Sequence, residues 1–99
     1  MNPKQIMRQM QEMQEKLTRD MDAMRVEGSA GGGVVTAVLN GQKALLTLRT
    51  APEAITPDDP EMLQDLVVAA VNDASRKVDE ALKEQIGGLT GGLKIPGLF

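Results

Sequence analysis

The sequence predicts an α+β fold of order α-β-β-β-α, with long N- and C-terminal helices around a small antiparallel sheet. Three observations predict it. Ile6, Met10, Met13, Leu17, Met21 and Met24 recur at steps of 3 and 4, the 3.6-residue period of a straight helix. Two β-rich runs flank Asn40-Gly41, a strong hairpin signal. Leu66 to Val71 is apolar at six consecutive positions and then thins to a stripe through Ala74, Val78 and Leu82. A helix apolar all round must be enclosed, whereas a striped one has a wet face.

The first helix is read over residues 3–24, with Asn2 as N-cap and Pro3 in the first turn. Its six apolar side chains fall within about 80° of the helix circumference at ~100° per residue. Lys4, Arg8, Lys16 and Arg19 fall on the opposite side, mixed with Glu12, Glu15 and Asp22. Glu12–Lys16 and Glu15–Arg19 have the spacing of i,i+4 ion pairs. Methionine dominates the stripe, which suits an adaptable packing surface in a core or a dimer.

Val26 to Gly28 is read as a short strand and Gly28 to Gly33 as a flexible connection. That connection has neither GxGxxG nor GxxxxGK[ST] and leads into a strand, so a phosphate-cradling role is disfavoured. Val34–Leu39 and Gln42–Thr50 are read as strands joined by a type I′ turn at Asn40-Gly41. Both carry apolar residues on both faces: Val34 and Val38 against Val35, Ala37 and Leu39, then Leu46 and Leu48 against Leu45. Two helices can cover one face, and the other face or an edge is expected to meet a second subunit, most commonly in a two-fold dimer. The packing residues expected for core and dimer are Val35, Ala37, Leu39, Leu46, Leu48, Leu66 and Ala70.

Residues 51–60 form a loop punctuated by Pro52, Pro57 and Pro60, with Asp59 as N-cap and Pro60 at the first position of the last helix. That helix is expected to end near Ile86, at Gly87-Gly88. Residues 1–88 are read as a single domain and 89–99 as a flexible C-terminal tail, docked by Leu98 and Phe99 if at all.

Composition narrows function. The 99 residues contain no cysteine and no histidine, and Phe99 is the only aromatic. The commonest general base, the commonest metal ligand and thiolate sites are therefore missing. The serines and threonines have no histidine to activate them, and neither GxSxG nor SxxK occurs. Asp58, Asp59, Glu61 and Asp65 lack EF-hand spacing, and capping explains two of them. The chain is read as a non-enzyme with no cofactor, no metal and no small-molecule substrate. No apolar run approaches a membrane span and Met1-Asn-Pro-Lys is too polar for a signal peptide, so a cytoplasmic protein with no membrane partner is expected.

Net charge is −3, but Glu53, Asp58, Asp59, Glu61 and Asp65 concentrate −5 within residues 51–65, and the remaining residues hold 11 bases against 9 acids. The acidity is local, so a polyanionic partner is compatible with it.

The ordered features together resemble the YbaB/EbfC family of bacterial nucleoid-associated proteins. They are Met7-Arg-Gln-Met-Gln-Glu-Met-Gln-Glu-Lys16, the Gly-rich step into strands, Asn40-Gly41 and the acidic Pro-containing loop. Leu66-Val-Val-Ala-Ala-Val-Asn-Asp-Ala74 and the closing Gly91-Gly92…Ile95-Pro96-Gly97-Leu98-Phe99 complete the set. The resemblance spans essentially the whole chain. It implies a homodimer joined through the sheets, with long helices projecting like the arms of tweezers. It also implies double-stranded DNA binding with little sequence preference, location in the nucleoid, and roles in nucleoid organisation, DNA protection and gene regulation. Carried onto this chain, the DNA-binding candidates are Lys4, Arg8, Lys16 and Arg19 on the first helix and Arg76, Lys77 and Lys83 on the last, acting by phosphate neutralisation. The rival reading is a dimeric protein–protein adaptor that grips a partner with the Met-rich helix and does not touch DNA.

Overall fold

The computed structural model describes residues 2–89, and it has the predicted element order. Helix α1 spans Pro3–Ala23, strands β1, β2 and β3 span Val26–Ala30, Val35–Leu39 and Leu45–Thr50, and helix α2 spans Pro60–Leu89. The strands form one antiparallel sheet in the order β1-β2-β3. Val26 pairs with Leu39 and Ala30 with Val35; on the other side Val35 pairs with Thr50 and Leu39 with Leu45, past a bulge between Val38 and Leu39.

Packing centres on one close approach. Gly28 in β1 lies directly against α2, and a Cβ built there would overlap the backbone nitrogen of Ala74 and come within 2.6 Å of the Ala70 carbonyl oxygen. Ala70 and Ala74 are fully buried, as are Val78, Val35 and Ala37. Small residues on both elements let backbone meet backbone, and Leu39 and Ala54 complete the core. The strand expected over Val26 to Gly28 runs on to Ala30, and Gly28 sits inside it, where the close approach of α2 leaves no room for a side chain. The flexible link is shorter, Gly31–Gly33, with three successive positive φ values of 63°, 73° and 96° that glycine adopts without Cβ strain.

The Asn40-Gly41 turn is not type I′. Five residues, 40–44, connect β2 to β3, and the positive φ falls on Lys43. Asn40 organises the loop: its Oδ1 accepts the N–H groups of Gln42 (2.9 Å) and Ala44 (3.0 Å). Gly41 serves a different need, because a Cβ there would come within 2.8 Å of Met24 Sδ and 2.9 Å of Met21 Cα. It donates its N–H to the Met21 carbonyl at 2.8 Å, docking the end of α1.

Helix α1 departs from expectation. It buries none of its residues and lies along neither the sheet nor α2. Among the described residues, α2 alone covers the sheet. The radius of gyration is 18.5 Å, against about 13 Å for a compact domain of 100 residues. The second expectation to change concerns the sheet, whose face away from α2 is mainly polar, with Val38 as a half-buried apolar member. Glu27 and Arg49 bridge across β2 at 3.1 Å, beside Thr36 and Thr47. Among the expected packing residues, Val35, Ala37, Leu39 and Ala70 are buried and Leu66 is half-buried, whereas Leu46 and Leu48 are exposed. Strand β3 lies beyond the reach of α2, which packs on β1 and β2. The front of α2 is likewise open on one side, at Val68.

Capping follows the sequence. Asn2 Oδ1 accepts the Gln5 N–H at 2.8 Å and Asp59 Oδ1 the Met62 N–H at 3.1 Å. The end of α2 does not: the helix continues through Gly87 and Gly88 to Leu89. Glycine weakens a helix interior by only ~1 kcal/mol relative to alanine, so two glycines do not compel a stop. Leu98 and Phe99 lie outside the described residues.

Clash and backbone strain are separable here. Gly28→Ala is expected to lower the unfolding free energy by about 3 kcal/mol or more, the upper range for overpacking. Gly32→Ala meets nothing within 4 Å and is expected to cost about 1–2 kcal/mol from its positive φ alone. Urea unfolding followed by circular dichroism checks both, and equal costs would remove the close-packing account.

Candidate nucleic-acid interface

The sheet has two functionally different ends. At one end lie Val26, Leu39, Leu45 and the loop 40–44, to which α1 is rooted. Gly41 holds Met21, Gln42 Nε2 donates to Asp22 Oδ1 at 2.7 Å, and Arg25 Nη1 donates to the carbonyls of Asp22 (2.9 Å) and Met24 (2.8 Å). Helix α2 reaches this end too, since Lys43 Nζ and Asp79 Oδ1 are 2.9 Å apart. The residues of α2 beyond Asp79 therefore continue past the sheet, about 15 Å of helix at 1.5 Å per residue. At the opposite end lie Gly31–Gly33, the short turn Pro52–Ala54 and the start of α2; segment 51–65 holds five acids.

The seven basic residues singled out from sequence divide into two groups. On α1, Lys4, Arg8 and Arg19 have no internal hydrogen bond or ion pair among the described residues. Lys16 pairs with Asp20 at 2.9 Å rather than with Glu12. Both groups of that pair are largely exposed, so it is worth at most ~0.5 kcal/mol. The first turn of α1 contains Lys4 and no acid, so the positive end of the helix dipole at the arm's tip is not offset.

On α2 the cations are engaged. Asp73 accepts the Ser29 N–H at 3.0 Å and Arg76 Nη2 at 2.7 Å, and its other contact is Lys77 Nζ at 3.0 Å. Arg76 also donates to Glu80 at 2.9 Å. The Ser29 N–H foremost, then Lys77, hold the Asp73 carboxyl down to about 2 from its ordinary 3.8, and Arg76 is held above its ordinary value by Asp73. This α2 cluster is electrically neutral, two acids against two bases. Lys83 is also engaged by a neighbour. Sequence spacing allowed Asp73–Lys77 as an i,i+4 pair but gave no sign of Ser29, 44 residues away.

The apolar stripe of α1 is open to solvent at Ile6, Met10, Met13 and Leu17, with Met13 73% exposed. Leu45, Leu46 and Leu48 on β3 are open as well. Contiguous exposed apolar surface is the usual sign of an interaction face.

Residues 1–93 match the family model described as the YbaB/EbfC DNA-binding family. The chain belongs to that family. A nucleoid-associated protein of Chloroflexus aurantiacus is 46% identical over 102 residues, covering 100% of both chains. One from Pelotomaculum thermopropionicum is 44% identical over 101 residues, covering 99% of this chain and 96% of its own. Another, from Geobacillus kaustophilus, is 57% identical over 74 residues, covering 75% and 68% respectively. The crystal structure of an uncharacterized protein from Helicobacter pylori superposes with a TM-score of 0.71 at 22% identity, over 91% of this chain and 98% of that one; it shows the α-β-β-β-α fold. No helix among the described residues is long and apolar enough to cross a membrane.

The Asp73 contacts predict a pH dependence. Its carboxyl is lowered in the folded state, so its stabilisation is fully present above pH 4 and disappears as pH falls from about 4 to about 2. Wild type is expected to melt above Asp73→Asn at neutral pH, with the gap in Tm closing through that window. A gap unchanged at pH 2 would contradict the assignment.

Proposed function

We propose that this protein binds double-stranded DNA with little sequence preference, as a two-fold homodimer, and that α1 is its principal DNA-contacting arm. The observation that carries the reading is the set of cations Lys4, Arg8 and Arg19, unpaired among the described residues, on a helix held to the rest of the chain only at its C-terminal end among those residues. Family membership supports DNA as the partner. Phosphate contacts by Arg and Lys release counterions and position a duplex without reading bases. Lys4 and Arg19 stand ~22 Å apart along the helix, enough to follow several phosphates. The first turn of α1 holds no acid, so the positive end of its dipole adds to the attraction for phosphate. With Phe99 the only aromatic, there is little to stack unpaired bases, which favours duplex over single strands.

Dimerisation accounts for the exposed apolar surface. Burying the α1 stripe and the β3 leucines against a second copy would enlarge a core that otherwise rests on valine, leucine and alanine. A dimer also doubles the arms on one duplex. The reading puts the protein in the nucleoid, as the names of its relatives suggest, altering DNA conformation, with roles in nucleoid organisation, DNA protection and gene regulation. The adaptor alternative draws on the same Met stripe and makes the opposite electrostatic prediction, namely binding that salt does not weaken.

Fluorescence anisotropy on a labelled random duplex, titrated with salt, discriminates them. At about −0.9 per phosphate contact, replacing Lys4, Arg8 and Arg19 by Gln should flatten the log–log slope by ~2.7 per chain, or ~5 for a dimer. Wild-type binding that is insensitive to salt, or absent at low salt, would overturn the DNA reading.

A further inference from the structure

Arg76 and Lys77 occupy an unusual position for phosphate ligands. Both remain accessible, at 61% and 42% exposure of their side chains, yet both already hold an anion. That anion is not an ordinary surface partner. Asp73 is fixed by the backbone of another element, through the Ser29 N–H of edge strand β1, and its side chain is only 21% exposed. Its two oxygens divide the work: Oδ1 takes Arg76, and Oδ2 takes Lys77 and the Ser29 N–H. This is the arrangement a DNA phosphate would offer, with one oxygen for an arginine and another for a lysine. Glu80 holds the second arginine nitrogen. A phosphate arriving at this surface meets a neutral, satisfied cluster rather than two free cations.

We propose that Asp73 is a built-in competitor of DNA, a carboxylate standing where a phosphate would, which holds Arg76 and Lys77 out of the DNA interface. The inference rests on the DNA-binding reading above and assigns it an internal limit. The three free cations of α1 set the affinity, and the α2 pair is a reserve that Asp73 keeps unused. The limit keeps contacts few and exchange fast, which suits a protein that coats DNA without locking onto one place.

The test is the same duplex titration on four proteins: wild type, Asp73→Asn, Arg76→Gln/Lys77→Gln, and the triple combination. Asparagine keeps an oxygen for the Ser29 N–H and removes the charge, so circular dichroism should report an unchanged fold. Releasing Lys77, and Arg76 from one of its two carboxylates, is expected to steepen the salt slope of Asp73→Asn by ~0.9 to ~1.8 per chain, at about −0.9 per contact, with affinity at 50 mM salt rising. The triple variant should lose that gain. The double variant, which leaves Asp73 and Glu80 unpaired, should lose less salt slope than removal of the α1 cations, by at least about one contact. The last comparison stands even if Asp73→Asn fails to fold.

Three results would overturn the proposal: an unchanged slope in folded Asp73→Asn, a gain that survives in the triple variant, or a double variant that loses as much slope as removal of the α1 cations. Failure of the wild-type protein to bind any duplex would instead remove the DNA reading, and this inference with it.

Discussion

The architecture depends on one contact between backbones, that of Gly28 in β1 with Ala70 and Ala74 in α2. No side chain fits between them, so the line of α2 across the sheet is set within narrow limits. That line brings Asp73 to the Ser29 N–H and Asp79 to Lys43. It also carries the last third of the helix past the loop 40–44, where α1 is rooted. A bulkier pair would hold the same two elements together through hydrophobic burial, but farther apart, and the polar ties across the seam would be out of reach.

Charge is arranged along the same line. Acids 53–65 gather at the end of the sheet away from α1, and Asp65 is ~21 Å of helix from Asp79 at 1.5 Å per residue. The Debye length at physiological salt is about 8 Å, so the arms do not feel the overall charge of −3. What a polyanion meets there is decided locally, by which cations already have partners. On α1 three do not. On α2 Arg76 and Lys77 do, through Asp73 and Glu80. A chain acidic in total thus keeps three unpaired cations on one helix, on a face that they share with Glu12, Glu15 and Asp22, while the acidic end opposes the same ligand.

Much of this was legible in the sequence. Periodicity of Ile6 through Met24 predicts α1, and Asn2, Pro3, Asp59 and Pro60 mark both helix starts correctly because capping is a local matter of side chain to backbone. The places where expectation and structure part are those decided by distant neighbours. Gly41 was read for its φ, but its role is set by Met21 and Met24 pressing on it. Gly28 reads as the junction of a short strand and a linker, because the requirement it meets comes from Ala74. A stripe like that of α1 signals packing without naming what it packs on, so its freedom from the sheet could not be foreseen. Arg76 and Lys77 looked equivalent to Arg8 and Arg19 because Ser29, which fixes their acid partner, is far away in the chain.

The most direct test of α1 as the DNA-contacting arm is amide hydrogen exchange read by mass spectrometry, with and without a saturating random duplex. Residues 4–19 should gain protection on adding DNA, strongest around Lys4 and Arg8, while residues 51–65 remain unchanged. Protection of residues 51–65 or of the sheet, with α1 exchanging as in the free protein, would contradict the account.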